Sequence, residues 1–177
     1  MCYFDIISKL IPNKEFRIYY SDDLIGTQIG GALKNIYAIA AGIAEGLNLG
    51  ENAKSALISR SFAEMTRYAK KFKADKNTLF GLSGLGDLIL TCSSKNSRNT
   101  QFGIKLASSK YDNFLDLLKS QEVTEGYYTV KAVYNISQKK NIDMPIMESV
   151  YNILYKQHDL KEELSNLLSR PITEEKI

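Results

Sequence analysis

One amine in this chain stands where an amine could do acid–base work. Lys34 is the only charged side chain between Asp23 and Glu45, and the residues on its own helical line, Gly26, Gly30, Ala38 and Ala41, are small. A lysine in such a setting is expected to lose part of its hydration, which favours the neutral form and suits it to proton transfer. The same pattern also fits a lysine that snorkels to water from a core helix. The second candidate is Asp87, in Gly84-Leu85-Gly86-Asp87-Leu88-Ile89-Leu90-Thr91. A carboxylate in so apolar a run is seldom buried without a partner; alternatively it caps a helix entered through the two glycines. Thr91, four residues on, lies above Asp87 on a helix. The third candidate is Ser97-Arg98-Asn99, in the polar stretch from Ser93 to Thr100. A capping hydroxyl, free backbone N–H groups and a guanidinium at one helix start suit a phosphate. An exposed cap with a solvated arginine fits them too.

Helices must position these groups. Residues 22–49 read as one long, nearly uncharged helix, with Ile25, Ile29, Leu33, Ile36, Ala40, Ile43 and Leu47 on one face. Ser21 is its expected cap, with Asp22 and Asp23 in the first turn where the dipole favours anions. Three glycines between 26 and 31 each cost about 1 kcal/mol of helix stability, so another backbone or a ligand is expected to come close there. Further helices are expected at Glu51 to Phe72, an amphipathic surface helix, at Lys76 to Leu82 capped by Asp75, and at Leu85 to Thr91, a buried one. Others follow from Arg98 through Leu106, at Tyr111 to Leu118, Tyr127 to Lys140, Met144 to Gln157 and Leu160 to Leu168, with a turn or helix entry at Gln121 to Gly126. Residues 1–10 are amphipathic but weak as helix or loop. Phe16-Arg17-Ile18-Tyr19-Tyr20 alternates and is rich in β-formers, so it reads as a lone strand needing a partner. The fold class is all-α, with about seven or eight helices and one orphan N-terminal strand.

Composition narrows the classes. The chain has 177 residues, 44% hydrophobic and 24% charged, with a net charge of +3, which fits one ordinary globular domain. No dense Lys/Arg block interleaved with aromatics argues for nucleic acid, and no stretch reaches the roughly 18 apolar residues of a membrane span. Two cysteines, Cys2 and Cys92, form no motif and fit a reducing cytoplasm. The single histidine, His158, lies among polar neighbours and reads as a surface residue, so neither a metal centre nor a histidine-based triad is expected.

Taken together, Gly30-Gly31-Ala32-Leu33-Lys34-Asn35, Gly84-Leu85-Gly86-Asp87-Leu88 and Ser97-Arg98-Asn99 resemble the C-terminal, substrate-binding half of bacterial NAD(P)-dependent glycerol-3-phosphate dehydrogenase. The resemblance runs from about Asn13 to about Leu168, with further agreement at Phe16-Arg17-Ile18-Tyr19 and Glu125-Gly126. It implies a helical fold like the C-terminal domain of 6-phosphogluconate dehydrogenase. It implies that Lys34 is the proton donor and acceptor at the substrate oxygen and that Asp87 contacts substrate and pairs with this lysine. Asn35 and Thr91 become site residues. Ser97, Arg98 and Asn99 become the stretch that binds the substrate phosphate, and Arg98, Val123 and Glu125 become cofactor contacts. The implied substrates are dihydroxyacetone phosphate and glycerol 3-phosphate, feeding glycerophospholipid synthesis, and the resemblance leaves room for a homodimer.

The chain departs from that family in having no Gly-x-Gly-x-x-Gly after a strand. Residues 1–20 are therefore expected to be a linker or strand left from a dinucleotide-binding domain, 21–170 the helical substrate domain and 171–177 a flexible tail. On this expectation NAD(P)H binds through a dinucleotide-binding domain in cis or in trans, not to this chain alone. The face turned to that domain, around Ile18, Tyr20 and the Gly26–Gly30 line, should be apolar and open. The competing expectation is a non-catalytic helical domain kept for assembly or left over from gene decay.

Overall fold

The computed structural model describes residues 3–11, 17–108 and 124–171. Among them are nine α-helices: α1 (Tyr3–Leu10), α2 (Leu24–Gly46), α3 (Glu51–Lys71), α4 (Lys76–Phe80), α5 (Asp87–Ser93), α6 (Arg98–Ala107), α7 (Glu125–Lys140), α8 (Pro145–Lys156) and α9 (Leu160–Leu168). A single π-helical turn, Leu82–Gly86, joins α4 to α5. The all-α expectation holds, but the strand does not. Residues 17–20 have no regular structure, because an extended segment finds no strand among the described residues to take its N–H and C=O groups. Phe16, the helix expected at Tyr111 to Leu118, the 121–123 part of the turn, Val123, Cys2 and residues 172–177 lie outside the described residues.

Helix α2 is the axis. It is expected to bury one face, yet every residue from Ile36 to Ala44 is buried, as in a helix surrounded by others. Helices α3, α5, α6, α7 and α8 pack around it. The tightest seam is with α6, and reciprocal glycines make it. A Cβ on Gly42 would lie 2.0 Å from the Thr100 carbonyl oxygen, and one on Gly103 2.2 Å from the Ile39 carbonyl oxygen.

The glycines near the start of α2 are explained by a similar approach. A Cβ on Gly30 would meet the Ser83 carbonyl oxygen at 2.2 Å, and one on Gly26 would meet the Asp23 carboxylate and Thr78. The Gly26–Gly30 line is thus buried under α4 and the π turn, not open as expected. Leu24, Ile25, Phe80, Leu82, Ile89 and Leu90, with Tyr19 and Tyr20, are exposed, so the helix expected to be buried from Leu85 to Thr91 keeps Ile89 and Leu90 at the surface, where no described helix covers them. The cap also differs: Asp23, not Ser21, accepts from Gly26 N at 2.8 Å and from Asp75 N at 2.8 Å. A carboxylate there serves two helix starts at once, while Ser21 accepts only from Asp23 N at 3.3 Å.

Helix α3 is not simply a surface helix, because Glu64 is 1% exposed. Its Oε1 accepts from Ile146 N at 2.6 Å, and its Oε2 from Met147 N at 3.1 Å and Tyr37 Oη at 3.2 Å. Glu64 thereby caps α8 from another helix, where Met144 supplies no side-chain cap. Burial pushes its carboxyl up to about 7, against the two amides, Arg67 and Tyr37, which pull it down. In the unfolded chain the group ionises near 4.5. The folded state therefore holds the proton between those values, and stability present below pH 4.5 is lost as pH rises to about 7. Urea unfolding across pH 4.5–8 is expected to show wild type losing of the order of 3 kcal/mol relative to Glu64→Gln, whose amide stays neutral.

His158 is on the surface as expected, although its Nδ1 lies 2.7 Å from Oε1 of the buried Glu163. Cys92 is buried and free, and burial pushes its thiol up to about 12, which leaves little thiolate for chemistry.

Candidate functional site

Lys34 and Asp87 come from segments 53 positions apart, and the fold brings them together. The Ser83–Gly84 backbone packs on Gly30 and seats the π turn on α2, while the Leu79 backbone of α4 packs on Gly84; α5 then starts at Asp87 beside the middle of α2. Lys34 Nζ donates to Asp87 Oδ2 at 2.5 Å. Asp87 is at a helix start, as a cap would be, but its carboxylate is spent on the lysine. Thr91 donates its hydroxyl to the Asp87 carbonyl at 2.6 Å and lies 3.3 Å from Asp87 Oδ1. Thr91 thus stands over the pair, and its own carbonyl accepts from Thr100 Oγ1 at 2.8 Å, tying α5 to α6.

The lysine keeps part of its hydration. The side chains of Lys34 and Asp87 are 24% and 30% exposed, and Lys34 opens onto a cleft of roughly 540 Å³ lined by α2, α5, α6 and the start of α7. Its walls include Gly31, Lys34, Asn35, Leu90, Thr91 and Arg98. Gly31 has no atom within 4 Å of where a Cβ would lie. That glycine keeps the cleft open, unlike Gly30, which lets a backbone in.

The other wall is the start of α6. Ser97 caps it as expected, accepting from Thr100 N at 3.2 Å. Arg98 lines the cleft but is engaged: its Nη2 donates to Glu125 Oε1 at the start of α7. Asn99 is buried, 5% exposed. Its amide donates to Asn35 Oδ1 at 3.0 Å, and its Oδ1 accepts from Gly126 N at 3.0 Å. One side chain therefore fixes α2, α6 and α7 relative to one another. Of the residues expected at the site, Lys34, Asn35, Thr91, Ser97, Arg98, Asn99 and Glu125 line this one cleft. Asp87 is bonded to its lysine, and Val123 lies outside the described residues. Gly31, one of the glycines where a ligand or a backbone is expected to come close, also lines the cleft, as do Leu90, Ser94 and Asn96, which the sequence does not single out. Ser94 and Asn96 belong to the polar stretch from Ser93 to Thr100, and an exposed leucine gives no signal in a sequence of buried ones.

Residues 23–165 match the family described as NAD-dependent glycerol-3-phosphate dehydrogenase C-terminus. The chain belongs to that family. The glycerol-3-phosphate dehydrogenase (NAD(P)+) of Staphylococcus carnosus is 45% identical over 93% of this chain and 49% of its own length. That of Colwellia psychrerythraea is 46% identical over 89% of this chain and 47% of its own length. The crystal structure of glycerol-3-phosphate dehydrogenase from Coxiella burnetii superposes with a TM-score of 0.87 at 38% identity, covering 95% of this chain and 51% of that one. The chain thus spans about half the length of the glycerol-3-phosphate dehydrogenases it matches, and it corresponds to their C-terminal domain. Among the described residues no helix is long and apolar enough to cross a membrane, and no cluster of three or more metal-ligating side chains is present.

Proposed function

We propose that this chain is the substrate-binding, catalytic half of a glycerol-3-phosphate dehydrogenase that interconverts dihydroxyacetone phosphate and glycerol 3-phosphate. The observation that carries this is the Lys34–Asp87 pair, 2.5 Å apart, whose lysine lines the same cleft as an arginine at a helix start. In that reading NAD(P)H supplies the hydride when a dinucleotide-binding half holds it, in cis or in trans. Among the described residues, Arg98 and Glu125 at the cleft are the expected cofactor contacts, and the sequence carries no Gly-x-Gly-x-x-Gly after a strand to cradle a pyrophosphate. The setting is cytoplasmic, the product feeds glycerophospholipid synthesis, and a homodimer is compatible with it.

The residues divide the work as follows. A ketone oxygen gains negative charge as its carbon is reduced, and Lys34 as an ammonium stabilises that charge and gives up its proton there. In the reverse direction the amine takes the proton from the alcohol. Asp87 holds the lysine in position, and Thr91 stands over the carboxylate, so the amine is aimed before substrate arrives. Arg98, with the start of α6, anchors the phosphate and so fixes the distance from anchor to reacting carbon. Asn35 and Asn99 complete the floor between the two charged groups.

The test is a fusion of this chain to the dinucleotide-binding half of the Staphylococcus carnosus relative. Oxidation of NADH that depends on dihydroxyacetone phosphate is the expected result. A fusion that folds and binds NADH but leaves the ketone untouched would favour the non-catalytic domain instead.

A further inference from the structure

Arg98 meets the cleft already engaged with Glu125, although both side chains are largely in water, 75% and 52% exposed. The pairing has a rigid base. Asn99 and Gly126, the next residues along, are joined by the 3.0 Å bond from Gly126 N to Asn99 Oδ1. A Cβ on Gly126 would lie 2.7 Å from both the Asn35 carbonyl oxygen and Asn99 Oδ1, so the starts of α6 and α7 meet with no space between. The two helix starts therefore lie side by side, and the Glu125 carboxylate at one of them holds the Arg98 guanidinium at the other. Lys34 and Arg98, the two cations among the described residues that line the cleft, are thus both paired with carboxylates of the chain itself.

A carboxylate in that position uses the donor an incoming phosphate needs. We infer that Glu125 is an internal stand-in for the substrate phosphate, holding Arg98 until a dianion displaces it. This rests on the reading that Arg98 anchors the phosphate. The exchange keeps the arginine oriented toward the cleft and lowers the affinity for anions. A phosphate dianion brings more charge and more acceptor oxygens than the carboxylate it replaces, so the site favours phosphates over carboxylates. Once released, Glu125 is free to accept from a hydroxyl at the cleft rim.

The experiment is calorimetric titration of this chain with inorganic phosphate at low salt. Glu125→Gln is expected to bind phosphate about 1.5- to fivefold more tightly than wild type, the range of an exposed ion pair, with the gain shrinking as salt is added. In an Arg98→Met background the same substitution is expected to give no gain. Circular dichroism serves as the check that these exposed substitutions leave the helices formed. Equal or weaker binding by Glu125→Gln, or a gain that persists without Arg98, overturns the stand-in. Binding that Arg98→Met leaves undiminished removes the anchor itself, and the proposed phosphate site falls with it.

Discussion

Replacing Lys34 by alanine is expected to cut turnover of the fused enzyme about a thousandfold, the scale of a lost general acid that also stabilises developing charge. The fold should survive, because the side chain is 24% exposed and contributes little to the core. Lys34→Arg is expected to rescue little: a guanidinium keeps the charge but does not release its proton. Asp87→Asn should fall between the two. The asparagine amide leaves the lysine without its counter-charge, so the amine is held less well. Steady-state turnover of the three variants checks this. A Lys34→Ala enzyme within a few-fold of wild type would leave the proposed chemistry without its acid.

The second large effect is on stability. Gly103→Ala is expected to destabilise the chain by about 3 kcal/mol or more, a large share of the 5–15 kcal/mol typical of a domain. The new methyl would face backbone, with Ile39 O at 2.2 Å and Ile43 N at 2.8 Å, and a helix backbone has no rotamer by which to move aside. The only relief is to push α6 away from α2, which also draws Arg98 and Asn99 away from Lys34 and Asn35. Gly31→Ala is the control. Its Cβ meets no atom within 4 Å, so it should stabilise α2 by up to about 1 kcal/mol while crowding the cleft. Urea unfolding of both variants separates the cases, and equal midpoints would show that the seam is looser than the glycine geometry requires.

What could be read beforehand follows the range over which each signal acts. Ser97 and Asp75 were legible as caps because a cap depends on residues two or three positions away. The lysine, the aspartate and the arginine were legible as unusual charges in apolar or helix-start settings, and the resemblance gave them roles. Contacts between distant residues were not legible. Glu64 reads as one of several charges on the outer face of α3, and only the packing of α8 against it makes it a buried cap. Glu125 reads as a helix-start acid, and only the Asn99–Gly126 bond brings it to Arg98. Gly42, Gly46 and Gly103 are indistinguishable in sequence from Gly31, yet a Cβ meets backbone atoms at the first three and open space at the last. The strand failed for a related reason: alternation describes a strand, but pairing makes one.

The central claim is that Lys34, Asp87 and Arg98 form one binding site for a three-carbon phosphate. Its most direct test is an amide and side-chain NMR titration of the 177-residue chain with glycerol 3-phosphate. Shifts concentrated at Gly31, Lys34, Asn35, Asp87, Thr91, Arg98 and Asn99, saturating together, are the predicted result. Shifts that gather elsewhere on the surface, or that reach the Arg98 end and leave the Lys34 amine unchanged, would contradict it.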